Sequence, residues 1–128
     1  MTDVEQHLPG TWIVKVTLNK GFVGKAVITF TSDGGTVERF TADTEGNVGV
    51  WEATGKKDGF RLMAYRYIVE ATTFKHNSRV RATCEFNDND TFQCTATADQ
   101  LDIDDKVIPG TTTAGFELNG SRLKVVSE

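Results

Sequence analysis

The chain has 128 residues, 38% of them hydrophobic and 25% charged. That is enough for one globular domain with a real core, spanning 1–128, and too little for two full ones. The formal charge is −4, from 14 Lys and Arg against 18 Asp and Glu, which argues against nucleic-acid binding because phosphates need a basic face.

The opening Met1–Gly10 is polar and acidic and lacks the basic and apolar regions of a secretory signal. No apolar run nears the ~20 residues of a membrane helix. The expected location is therefore the cytoplasm, with no membrane partner. A short helical turn is predicted across Asp3–His7, before Pro9.

Beyond it the chain alternates between strand-length runs rich in Val, Ile, Thr, Phe and Tyr and turn signals such as "NKGFVG", "SDGG", "TEGN", "GKKDG" and "NDND". Strands are predicted at 10–19, 25–32, 36–43, 48–54, 60–69, 78–86, 91–101, 107–118 and 121–127. This spacing is that of an antiparallel sandwich or barrel, an all-β domain.

Alternation also assigns the faces. Trp12, Val14, Val16 and Leu18 share one face of the first strand; Ala26, Ile28 and Phe30 share one face of the second. Around "NDND" the inner set is Val80, Ala82, Cys84 and Phe86, then Phe92, Cys94, Ala96 and Ala98. Alanines of this kind cannot fill the middle of a barrel of about eight strands, which favours a space for one small ligand.

The strand 60–69 is apolar on both faces. Phe60, Leu62, Ala64 and Ile68 share one face with Arg66, and Met63, Tyr65 and Tyr67 share the other with Arg61. The outer face needs a cover, either the amino-terminal segment or a second copy of the chain in a homodimer. An arginine on the inner face needs a counter-ion, for which Glu38 and Glu52 are the candidates.

If Phe86 pairs with Phe92, Cys84 falls opposite Cys94. A cross-strand disulfide is then conceivable, but in the cytoplasm two reduced, buried thiols are the expectation. The acidic residues Asp99, Asp102, Asp104 and Asp105 do not fit a calcium loop, and no zinc-type cluster occurs, so no metal is expected. No nucleophile elbow, phosphate loop or dinucleotide fingerprint is present, so no cofactor is expected.

Gly10-Thr11-Trp12 opens the first strand, and Arg122 follows an Asn-Gly pair near the end of the chain. This combination resembles the lipocalins and their calycin relatives. The segment Gly49–Gly55 is similar to small lipocalin-like bacterial proteins. The resemblance implies a single antiparallel up-and-down β-barrel of about 8–9 strands. It also implies structural roles for Gly10, Trp12 and Arg122, the arginine packing over the indole to close one barrel end.

The resemblance further implies that a hydrophobic small molecule is held inside. Val14, Val16, Ile28, Phe30 and Trp51 are the expected lining from the first half of the chain; Leu62, Ala82, Cys84, Ala96 and Phe116 are those from the second. Barrels of this appearance also occur as cofactor-free cyclases in bacterial polyketide biosynthesis, including Diels–Alder-type enzymes, where positioning alone lowers the barrier. For that alternative the candidate groups are Tyr65, Arg66, Tyr67, Glu52 and His76, as hydrogen-bond donors or acid and base. A third reading is a filled barrel that serves only for association.

Overall fold

Period-two alternation builds the whole molecule. The computed structural model describes residues 3–40, 47–70 and 73–126, with the backbone alone at 66–70, 73 and 74. After α1 (Asp3–His7) come β1 (Gly10–Leu18), β2 (Gly21–Phe30), β3 (Gly35–Phe40), β4 (Asn47–Ala53), β5 (Gly59–Glu70), β6 (Thr73–Asp88), β7 (Thr91–Leu101) and β8 (Thr113–Arg122). Each strand pairs antiparallel with the next, and β8 returns to β1, closing an up-and-down barrel of eight strands.

The expected pair of final strands is corrected to one. Asn119 and Gly120 are not a hairpin turn; they lie inside β8, with Gly120 paired to Val14 on one side and Phe92 on the other. A side-chain carbon on Gly120 would lie within 2.6 Å of ring carbons of Phe92. This glycine makes room for an aromatic ring, not for a reversal. Residues 107–112 belong to the β7–β8 connection, which folds back on β7: the Ile108 N–H donates to the Gln100 carbonyl at 2.9 Å.

The stretch Val69–Ser78, which reads as a loop, is largely strand, because β5 runs to Glu70 and β6 starts at Thr73. The β1–β2 reversal needs only Asn19 and Lys20, both at positive φ (51° and 66°). Two such residues in succession suit the twist of a two-residue hairpin.

One end of the barrel is sealed. Trp12, Phe30, Phe60 and Phe92 are each no more than 1% exposed. Their rings meet edge-on or tilted, with centroids 4.8 Å apart for Trp12 and Phe92 and 5.4 Å for Phe60 and Phe92. Burial of each ring contributes roughly 1.5–3 kcal/mol. Val4 and Leu8 are fully buried, so α1 caps this end, and the Trp12 Nε1–H donates to the Leu8 carbonyl at 2.9 Å.

The contact that the resemblance implies is present. Arg122 holds its guanidinium 4.4 Å from the Trp12 ring centre. Its N–H groups donate to Asp90 Oδ1 (3.1 Å), the Asn89 carbonyl (3.1 Å), the Pro9 carbonyl (3.4 Å) and the His7 carbonyl. Gly10 has a φ of 133°, and a side chain there would meet Arg122 Nη1 at 3.1 Å. The Gly-x-Trp pattern thus has a local cause: the glycine leaves space for the arginine that covers the tryptophan.

Cys84 pairs with Cys94 in the β6–β7 register. The two are joined in a disulfide, their Cα atoms 4.0 Å apart. This corrects the expectation of reduced thiols: register alone brings the sulfurs together on the inner face.

The amino-terminal segment does not cover the outer side of β5, since it is spent on the barrel end. On that outer side Val48 and Val50 are 61% and 53% exposed. They pair in register with Tyr65 and Met63 respectively. Among the described residues no helix is long and apolar enough to cross a membrane.

Candidate functional site

The aromatic plug occupies only part of the interior. Away from Trp12 the inward side chains shrink: Ala26 on β2, Ala64 on β5 and Ala98 on β7 replace the rings, and a cavity of about 250 Å³ opens between the strands. Val14, Val16, Ile28, Leu62, Phe116 and Leu118 supply most of its apolar wall. An apolar cavity of about 150 Å³ already accommodates benzene, so the space suits a somewhat larger, compact molecule.

The lining expected from the sequence divides in two. Val14, Val16, Ile28, Leu62 and Phe116 face the cavity. Phe30, Trp51, Ala82, Cys84 and Ala96 are buried in the packed core instead. Trp51 is turned inward and anchored by its indole N–H, which donates to the Thr31 carbonyl at 2.9 Å. The large rings at the plug shield this level of the barrel, which strand alternation alone does not reveal.

Among the described residues, the polar groups that border the cavity are Glu38, Asn47, Tyr65 and Ser78. Glu38 and Asn47 face each other across β3 and β4 in direct register, and Asn47 is 7% exposed. Asn47 is a residue that sequence reasoning missed, because "TEGN" reads as a turn. Its signal was the parity it shares with Trp51.

Among the described residues the candidate catalytic side chains Glu52, Tyr65 and His76 do not converge. Glu52 faces outward and forms an exposed ion pair with Arg61 at 3.1 Å, so it is not the counter-ion of an interior arginine. It borders a broad, open groove of about 800 Å³ over the outer surface of β4 to β8. His76 lies within β6, in register with Ile68, and is half-buried. Tyr65 borders the cavity, yet its hydroxyl is engaged elsewhere: it donates to Asp105 and accepts from the Asn77 Nδ2–H at 2.6 Å. The side chains of Arg66 and Tyr67 lie outside the described residues.

That Tyr65 contact belongs to a polar seam between the barrel wall and the β7–β8 connection. Asp99, 2% exposed, accepts from the Thr112 hydroxyl at 2.8 Å and pairs with Arg79 and Arg81, each at 3.0 Å. The Thr112 hydrogen bond, then the two guanidinium groups, hold the Asp99 carboxyl below its ordinary value despite burial. The seam fixes the connection to the wall and presents no open reactive group. Among the described residues no cluster of His, Cys, Asp or Glu is placed to hold a metal ion.

Compared with known proteins, the chain matches no family model, no curated protein and no solved structure.

Proposed function

We propose that the protein binds a hydrophobic small molecule inside the barrel, as the resemblance to lipocalin-like proteins implies. The observation that carries this reading is the division of the interior. One end is closed by packed aromatic rings and a capping helix; the other keeps about 250 Å³ of mostly apolar space where ordinary cores leave no such void. Small side chains at Ala26, Ala64 and Ala98 maintain that space, and any of them could be larger if a filled barrel were the end.

A cyclase in the same cavity would have to fold its substrate within this volume. The space suits a compact substrate and not an extended polyene, so binding is the reading adopted.

Native mass spectrometry of freshly purified protein tests it, together with titration of propylbenzene into the wild type and into Ala98→Phe. The expected result is a bound mass lost on denaturation, or saturable binding of the hydrocarbon, with either one abolished by Ala98→Phe while the fold persists. Absence of both in the wild type would overturn the proposal.

A further inference from the structure

We infer that the outer face of β3, β4 and β5 is the contact surface of a homodimer. Two copies of the chain pack sheet against sheet, with corresponding strands running in opposite directions. This holds whatever the cavity binds.

Alternation turns every second residue of a strand outward. On β6 and β7 the outward residues Thr83, Glu85, Gln93 and Thr95 are polar and exposed, as contact with water favours. From β2 to β5 they are Val27, Val37, Val48, Val50 and Met63, each at least 38% exposed. These five adjoin one another: Val37 pairs with Val48, and Val50 with Met63. Scattered apolar residues on a surface are ordinary, whereas a continuous patch on one side of a barrel marks a contact surface. The segment α1 does not cover it, since Val4 and Leu8 are buried at the barrel end.

The charges at the two ends of the patch name the occupant. Beyond Val50 and Met63 lies Glu52, in register with Arg61. Beyond Val37, at the opposite end, lies Arg39, in register with Val27. Glu52 and Arg39 are both exposed. They stand on neighbouring strands and are separated along the strand direction by about 20 Å, six residues' rise.

A two-fold axis lying in the face, across the strands and between the levels of Val48 and Val50, turns either end onto the other. The valines then meet valines, and Arg39 of each copy comes over Glu52 of the other. Arg61 stands one strand further away. The Glu52 side chain is 68% exposed and a carboxylate has about four acceptor positions, so it can receive both guanidinium groups. A surface whose acid and base exchange places under a two-fold is self-complementary, which is the condition for an isologous dimer. The apolar centre supplies affinity, and the two charge pairs fix the register. The patch is the centre of a contact and not the whole of a standard interface of about 800 Å² per partner, so dissociation on dilution through the micromolar range is expected.

Sedimentation velocity over a concentration series tests this. The mass should rise with concentration from 14.1 kDa towards twice that value, and Val48→Lys should raise the dissociation constant about tenfold or more by burying a charge. Arg39→Glu and Glu52→Arg should each remain monomeric, since like charges then face each other twice. An equimolar mixture of these two variants should dimerise again, because both cross-contacts in the mixed pair are of opposite sign. A wild type that stays monomeric throughout would overturn the inference and leave the face to a different protein. A dimer indifferent to Val48→Lys would overturn it in favour of another surface. Variants that stay apart when mixed would overturn the reversed packing. The wild-type series needs no variant, so a poorly folded substitution would not leave the question open.

Discussion

Gly120 shows how much one residue can decide. It is flanked by Val14 and Phe92 in register, and the Phe92 ring occupies the place of its missing side chain. Gly120→Ala is expected to destabilise the protein by about 1–3 kcal/mol through overpacking. Adding Phe92→Leu should recover part of that loss, a coupling readable in a double-mutant cycle of urea denaturation. Strict additivity would show that ring and glycine do not share the space. The same residue marks a limit of sequence reading. Asn-Gly is a strong local hairpin signal, and only the partner strand reveals that the glycine answers a ring distant in the chain. Gly10, Trp12 and Arg122 were legible because their pattern is shared by a whole class of barrels. Asn47 was not, because its neighbours carry turn composition that masks its inward parity.

Among the elements, β6 and β7 were the most legible. Unbroken alternation on both sides of "NDND" fixed their faces and placed Cys84 opposite Cys94, as observed. What alternation could not supply was the state of the sulfurs, since it reports geometry and not redox surroundings. Reduction of the Cys84–Cys94 bond is expected to cost about 3 kcal/mol, the loop-closure effect for so short a separation. Urea denaturation with and without a phosphine reductant reads the difference, and identical midpoints would mean that the thiols are unbonded in solution.

The seam that ties the β7–β8 connection to β7 makes a second prediction. Asp99 has a lowered carboxyl pKa in the fold, so its ionised form adds stability above the unfolded value of about 3.9. That stability is lost as the pH falls through the lower folded value. Asp99→Asn should weaken the protein by about 2 kcal/mol at neutral pH and should flatten its loss of stability as the pH falls below the unfolded value. An acid limb as steep as that of the wild type would assign it to other carboxylates.

Across the whole molecule the barrel is two structures in series: a plug of aromatic rings beneath a hydrocarbon-lined chamber. The all-β class and the antiparallel barrel were readable from periodicity and from the two ends of the chain. The boundary between plug and chamber was not, because it depends on which side chains from non-neighbouring strands reach the axis at one level. The disulfide has a bearing at this scale too: such bonds persist in oxidising surroundings, whereas the expected cytoplasmic setting favours thiols.

Closure of the ring has a consequence for how the protein is born. The hydrogen-bond partner of β1 on one side is β8, so the first strand to leave the ribosome must wait for the last. At ordinary synthesis rates of ~5–20 residues per second the delay is on the order of ten seconds. Throughout it, the nascent chain carries an open sheet edge and an indole without its cation. During that interval the emerging protein is a natural client for whatever shields unfinished β-sheets, and only the arrival of Arg122 ends its need.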